Sequence, residues 1–539
     1  MSTSDPLHLD LSSLGKSGEL NSQFPDAGLL EKLAREIYGT LNSYGSFPSP
    51  TSTPGISNIQ GLPNVSTLPG SLNVPQTPSS LNQFLDVGKI ADPFSAFSPN
   101  SVSVGGHQTD FLGYKGKPGF ADIPNLPFLG SQNILSARRD FPILTEKVNG
   151  KDLVWLDNAA TTQKPLSVIE RLSEFYLHEN SNIHRAAHTL AARSTDAYEK
   201  SRELVKGFLK AASAEEIIFV RGATEGINLL SNILGEKFIQ SGDEILISHL
   251  EHHANIVPWQ MLCVKKNAKL KVAPVDESGQ IILSEFERLL NSRTKIVSVT
   301  HVSNALGTIT PVEEMVKAAQ RFGAITIVDG AQSVSHMPID VRDIDCDFYV
   351  FSGHKVFAPT GIGVVYGKKA LLDILPPWQG GGNMIQDVTF DHTTFQDAPF
   401  RFEAGTGNIA DAVGLGAAID YLNRFGMAQI AEYEHSLLEY GTKELLKVPG
   451  LHLIGTASNK ASVLSFIIDG LKTEEVGKHL AKEGIAVRAG HHCAQPILRR
   501  FGLEATVRPS LVFYNTCEDI DALIRALYDL TGGRRGSFV

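Results

Sequence analysis

The chain has 539 residues, 42% of them hydrophobic, which is enough apolar material for more than one core. A formal net charge of -10 excludes the basic footprint of a nucleic-acid binder, and no apolar run is long enough to span a bilayer. The four cysteines, all from Cys263 onward, make no disulfide framework and fit a reducing cytoplasm, and Met1-Ser2-Thr3-Ser4-Asp5 lacks the basic and apolar parts of a secretory signal.

Residues 1–132 are rich in Ser, Pro, Asn, Gly and Thr, and no charged residue occurs between Ile37 and Leu85. Such a stretch cannot bury enough apolar surface to offset its ordering entropy, so it reads as a disordered extension. Within it, Asp26 is placed to cap a helix over 29–41 whose Leu30, Leu33, Ile37 and Leu41 share one face. The compact clusters around Phe94 and Phe97 and around Phe128 have the look of docking anchors; the alternative is a linker with incidental apolar residues.

From residue 133 the composition turns globular. Strand-like and helix-like segments alternate to about residue 424, the pattern of an α/β fold with a mostly parallel sheet. Strands are predicted at Ile217–Val220, Ile245–Ser248, Ile296–Thr300, Ala324–Val328 and Phe348–Phe351. Several end in polar residues (Arg221-Gly222-Ala223-Thr224, His249, His301, Asp329), which should converge on one site beyond the carboxyl ends of the strands. Over 425–539 the pattern is that of a smaller α+β domain, with strands at Val463–Ile468 and Arg508–Tyr514 and helices at Glu474–Gly484 and Glu518–Leu530. Thr516 and Asp519 form a capping box before the last helix.

Five stretches carry chemistry. Gly222-Ala223-Thr224-Glu225-Gly226 opens a helix after a strand, where backbone N–H groups and the Thr224 hydroxyl suit a phosphate; a plain strand–helix turn is the alternative. Asp329, at a strand end, can keep a pyridinium nitrogen protonated, or merely cap a turn. Ser352-Gly353-His354-Lys355 follows a buried strand, where desolvation makes a lysine nucleophilic and suits it to a Schiff base with pyridoxal phosphate. The interval from Asp329 to Lys355, with a strand between, suits pyridoxal-phosphate enzymes of the aspartate-aminotransferase fold. In the fourth stretch, an imidazole of His252-His253 is positioned to lie flat on a cofactor ring. In Arg488-Ala489-Gly490-His491-His492-Cys493, polar neighbours mark an exposed loop and favour a thiolate nucleophile over a packed cysteine. The histidines and Cys493 show no CxxC or HExxH spacing, so no metal site is expected.

Together with Glu251-His252-His253-Ala254-Asn255, His301-Val302-Ser303-Asn304 and Asp329-Gly330-Ala331-Gln332, these motifs make residues 135 onward resemble a SUF-type cysteine desulfurase of the class V aminotransferase family. The resemblance implies the pyridoxal-phosphate fold type I, a homodimer, and conversion of L-cysteine to L-alanine with a persulfide left on Cys493. It implies that Lys355 holds the cofactor, that Thr224, Ser352, His354 and Thr406 of the other subunit bind its phosphate, and that Asp329, Gln332 and His252 contact its ring. Arg508 and Asn304 would bind the substrate carboxylate, although a surface ion pair and a turn residue are their plain alternatives. His184 is either a proton donor or a structural histidine. Relatives usually carry Pro after the threonine of Gly405-Thr406-Gly407-Asn408, where this chain has Gly407. The extension over 1–132 resembles that of desulfurases carried as cargo in encapsulin shells, which implies a shell partner and a cytoplasmic nanocompartment. A sulfur-acceptor protein is a further partner to expect. The alternatives are a selenocysteine lyase and a catalytically dead scaffold acting through its arm.

Overall fold

The computed structural model describes residues 134–183 and 187–532. The expectations for residues 1–132, including the helix over 29–41 and the Phe94, Phe97 and Phe128 clusters, lie outside these residues. Seven short runs build the main sheet: β1 (Ile217–Val220), β2 (Glu244–Ser248), β3 (Lys269–Ala273), β4 (Thr294–Thr300), β5 (Ile325–Asp329), β6 (Phe348–Ser352) and β7 (Gly363–Gly367). Their spatial order is β1-β7-β6-β5-β4-β2-β3. All neighbouring pairs from β6 to β3 are parallel, whereas β7 runs antiparallel to both β6 and β1.

Both faces of this sheet are buried, and successive side chains divide between them as strand geometry requires. Ile218, Val220, Phe348 and Val350 pack into a core with Ile227, Leu230 and Leu234 of the helix Ala223–Phe238. Their neighbours Ile217, Phe219, Tyr349 and Phe351 enter the larger core on the opposite face. Burial on both faces is why these strands read as continuous apolar runs.

Two strands of the main sheet were not expected. β3 is an edge strand whose Lys269 and Lys271 interrupt the apolar pattern, the usual protection of a sheet edge. β7 holds only Val364, Val365 and Tyr366 between two glycines. It returns alongside β6 after a connection too short for a parallel crossover. Gly363 is required there, because an added Cβ would lie 2.4 Å from Gly222 Cα.

The second sheet comprises β8 (Leu451–Leu453), β9 (Phe466–Ile468), β10 (Arg488–Gly490) and β11 (Thr506–Arg508), in the order β8-β9-β11-β10 and antiparallel throughout. The strand expected over Val463–Ile468 is therefore shorter. The one expected over Arg508–Tyr514 ends where that reading began it: Pro509 has no N–H for a ladder bond, and the chain leaves the sheet. Leu511, Val512, Phe513 and Tyr514 are buried all the same. Phe513 packs edge-on against Phe357 with ring centroids 4.9 Å apart, and Tyr514 meets Phe141 at 4.6 Å. The last helix, Cys517–Leu530, has the expected Thr516–Asp519 capping box and buries Ile520, Leu523, Ile524 and Leu527. Val154–Trp155 pairs in parallel with Ile485–Ala486 in a small sheet of its own, and Asp157 bridges Ser510, so the segment 154–157 is tied to the C-terminal part of the chain.

One buried ion pair fixes the approach to residue 406. Arg202 Nη1 donates to Glu403 Oε1 at 2.7 Å, and Phe219 N donates to the same oxygen at 2.7 Å. The guanidinium lies 4.6 Å from the Phe219 ring centroid and 5.2 Å from that of Tyr198. Replacing Arg202 by Met leaves the Glu403 carboxylate buried without its countercharge. We expect a loss of about 3–5 kcal/mol, seen as a lower denaturant midpoint; an unchanged midpoint would contradict this role.

Candidate active site

A cavity of about 180 Å³ opens beyond the carboxyl ends of β4, β5 and β6. Thr224, His252, Asn304, Asp329, Gln332, Ser352, His354, Lys355, Cys493 and Arg508 all line it, together with Ala159, Ala160, Thr300, Arg488 and His492. Strand ends and the second sheet thus meet at one point.

Lys355 closes the turn Gly353–Lys355 directly after β6. That turn is held through the His354 carbonyl, which accepts from Thr162 N at 3.0 Å and Thr161 Oγ1 at 2.9 Å, with Lys164 Nζ at 3.3 Å. Burial removes solvation from the Lys355 ammonium and lowers its pKa to about 8, against the pull of Asp329, which favours the charged form. Lys355 is half-buried and lines this cavity. Burial raises the pKa of the Asp329 carboxyl, partly offset by the hydrogen bond from Ala331 N and by Lys355.

His252 accepts from Ala254 N through Nδ1 at 3.0 Å, which places the proton of the neutral ring on Nε2. Burial, and then the positive charge of Lys355, lower its pKa to about 3. Ser352 Oγ accepts from Ala223 N at 2.8 Å and so caps the helix Ala223–Phe238. Thr224 stands exposed at the rim, and His354 is held at about 4 by burial and by Lys355. Gln332 Nε2 donates to the Ala159 carbonyl at 2.7 Å.

The second sheet supplies the other wall. Arg508 is buried on β11; its Nη1 donates to the Asn304 carbonyl at 2.9 Å and its Nη2 to Asp157 Oδ1 at 3.2 Å. Asn304 Nδ2 donates to the His492 carbonyl at 2.7 Å, so Asn304 also anchors the cysteine loop. In that loop His492 and Cys493 both take left-handed backbone angles, φ +54° and +53°. The Cys493 carbonyl accepts from His253 N at 2.8 Å, and its N–H donates to His491 Nδ1 at 3.0 Å. Cys493 is partly exposed, whereas Cys263 and Cys346 are buried. Burial raises the thiol pKa values of Cys263 and Cys517 to about 11.

The strand-end reading of two histidines needs correction. His249 and His301 do not face the cavity: the buried His301 Nδ1 is 3.1 Å from Tyr349 Oη, and neither residue is among the lining groups. Thr406 is exposed and lies in a separate hollow with Arg221, Glu225 and Trp378. His184 lies outside the described residues. The segment Asp157–Thr162 went unread in the sequence, although its polar and small residues directly follow an apolar run ending at Leu156, the same strand-end pattern that marked Asp329. Among the described residues, no cluster of His, Cys, Asp or Glu is arranged to hold a metal ion, and no helix is long and apolar enough to cross a membrane.

Residues 154–523 match the family described as aminotransferase class-V, and the chain belongs to that family of pyridoxal-phosphate enzymes. A relative named cysteine desulfurase, from Synechococcus elongatus, is 64% identical over 401 residues, covering 74% of this chain and 64% of the relative. The chain thus spans slightly under two thirds of that relative's length. A cysteine desulfurase of Escherichia coli K12 is 48% identical over 391 residues, covering 72% of this chain and 96% of the relative. The apo structure of a cysteine desulfurase from Thermococcus onnurineus superposes with a TM-score of 0.72 at 38% identity, over 75% of this chain and 100% of that one.

The residues present fit pyridoxal phosphate. Asn304 Oδ1, His492 Nδ1 and Arg508 Nε are buried without hydrogen-bond partners among the described residues. Each belongs to a residue lining the cavity. The stranded Arg508 N–H suits an anionic group, while the Asn304 acceptor and the buried Asp329 carboxyl suit ligand donors, so the set fits a polar ligand carrying both. Since the Lys355 amine is neutral above about pH 8, its acylation in the cofactor-free protein should follow a midpoint near pH 8. Peptide mass mapping after pulse labelling across pH would show this; a midpoint near the ordinary 10.5 would contradict the burial argument.

Proposed function

We propose that the protein is a homodimeric cysteine desulfurase that takes sulfur from L-cysteine, releases L-alanine and leaves a persulfide on Cys493. The observation that carries this reading is a single cavity holding the desolvated Lys355 amine, the Cys493 thiol and the buried Arg508 guanidinium.

In this reading Lys355 holds the cofactor covalently. Thr224, Ser352, His354 and the helix start at Ala223 surround its phosphate, and Thr406 of a second copy completes that subsite. Asp329 pairs with the ring nitrogen, Gln332 lies on the ring-hydroxyl side, and neutral His252 offers the ring a flat face. Pyridoxal phosphate supplies an electron sink for the substrate α-carbon when bound. Arg508 orients the substrate carboxylate by charge-assisted hydrogen bonds, with Asn304 beside it. Lys355 Nζ moves the α-proton. Cys493 Sγ attacks the substrate sulfur, so that an S–S bond forms as the C–S bond breaks. His184 is a proton donor to the departing product. The body divides into a cofactor-binding part over 133–424 and a smaller part over 425–539 that carries Cys493.

Lys355→Ala should lose both cofactor absorbance and turnover. Cys493→Ala should keep the absorbance and lose L-alanine release, because holding the cofactor and accepting sulfur use different residues. Cys263→Ala and Cys517→Ala should stay within about twofold of the native rate, since neither thiol lines the cavity. Release of L-alanine by Cys493→Ala at the native rate would overturn the reading.

We further propose that residues 1–132 direct the enzyme into an encapsulin shell in the cytoplasm. Low charge and repeated prolines argue against an independent core there. Several weak apolar anchors on one arm, doubled in a dimer, bind a repeating inner surface through effective concentration. Deleting residues 1–132 should leave turnover of L-cysteine unchanged and abolish co-purification with the shell, and fusing the arm to an unrelated soluble protein should carry that protein inside. A truncated enzyme that is still packaged would move recruitment of a sulfur-acceptor protein ahead as the arm's purpose.

A further inference from the structure

The substrate wall of the cavity holds two guanidinium groups. Arg488 and Arg508 are directly opposed in the register of β10 and β11, and both line the cavity. Opposed residues of an antiparallel pair have Cα atoms only about 5 Å apart, so two like charges there repel unless something lies between them. Asp157 does: its Oδ1 accepts from Arg508 Nη2 at 3.2 Å, and its Oδ2 lies 3.5 Å from Arg488 Nε. The turn that presents Asp157 is rigidly mounted. Asp157 bridges Ser510, Ala159 N donates to Ser510 Oγ at 2.8 Å, and Asn158 Nδ2 donates to the Ser510 carbonyl at 2.6 Å. Tyr514 Oη donates to Asn158 Oδ1 as well.

We propose that Asp157 is a positioning and specificity-determining residue that holds Arg508 and Arg488 together and leaves this wall with one net positive charge, matched to an amino acid with a single carboxylate. The inference rests on the desulfurase reading above, in which Arg508 receives the substrate carboxylate. The Asn304 carbonyl and Asp157 each accept from one terminal nitrogen of Arg508, which restrains the guanidinium at two points. Nε is left without a partner and buried. With the Asp157 charge removed, the wall would carry two positive charges, and a second anionic group on the ligand would meet attraction in place of balance.

The test compares L-serine with L-aspartate, which adds a second carboxylate to the same frame. Binding to the holoenzyme is read from the absorbance of the bound cofactor. In Asp157→Asn, which keeps an acceptor oxygen but loses the charge, the preference for L-serine over L-aspartate should fall by about tenfold. The double variant Asp157→Asn with Arg488→Gln restores one net charge and should return that preference to within about threefold of the native value. A merely structural role for Asp157 would weaken both ligands alike and leave the ratio unmoved. An unchanged ratio in Asp157→Asn, or a double variant no closer to native than the single one, overturns the inference. If Asp157→Asn does not fold, Arg488→Gln alone decides: its preference for L-serine should rise, and an unchanged preference overturns the inference. A native holoenzyme that releases no L-alanine from L-cysteine overturns the underlying reading and this inference with it. Native turnover combined with an unmoved ratio overturns the inference alone.

Discussion

Charge buried at the carboxyl ends of the parallel strands is the constraint on which the rest of this structure depends. The sheet is covered on both faces, so polar groups emerging from β5 and β6 have nowhere to go except the cavity at the strand ends. Lys355 and Asp329 both arrive there desolvated, each favouring the charged form of the other. Holding the lysine near pH 8 in place of 10.5 corresponds to about 3 kcal/mol less favourable protonation. That free energy is what makes the amine available as a nucleophile at neutral to mildly alkaline pH. The surrounding framework supplies it: donors from Thr161, Thr162 and Lys164 fix the turn, and Phe357 packs its far side against Phe513.

The Cys493 loop follows the second sheet's β10 and is held under strain. Two successive non-glycine residues with left-handed angles, His492 and Cys493, represent about 1–3 kcal/mol each. They persist because the loop is overdetermined: His253 N holds the Cys493 carbonyl, Asn304 holds the His492 carbonyl, and His492 Nε2 lies 2.8 Å from Thr506 Oγ1. Asn304 therefore links β4's loop to the cysteine loop while its own carbonyl oxygen supports Arg508. The amine, the guanidinium and the thiol are set relative to one another by a handful of backbone-directed bonds rather than by side-chain pairs alone.

Much of this was legible in the amino-acid sequence, for physical reasons. Asp329 and Lys355 stand out because a buried apolar strand that stops at an ionisable residue is a costly arrangement, and Cys493 because its neighbours are polar. What stayed hidden depended on tertiary context. The lysines of β3 disguise an edge strand, and Pro509 ends a strand although Leu511–Tyr514 remain apolar and buried. His249 and His301 follow strands just as Asp329 does, yet neither lines the cavity, and His301 meets Tyr349 instead. Asp157 escaped notice because its partners, Arg488 and Arg508, are more than three hundred residues away in the chain. Thr406 lies apart from the other phosphate-binding candidates in a single chain, consistent with the proposal that it serves a second copy.

The central claim is that the cavity passes sulfur from L-cysteine to Cys493. The most direct measurement is to incubate the holoenzyme with L-cysteine in the absence of any acceptor or reductant, remove the excess, block free thiols, digest, and weigh the cysteine peptides. The account predicts one additional sulfur atom on the peptide containing Cys493 and none on those containing Cys263, Cys346 or Cys517. Additional sulfur on one of those three peptides, or L-alanine formed with no sulfur retained on Cys493, would contradict it.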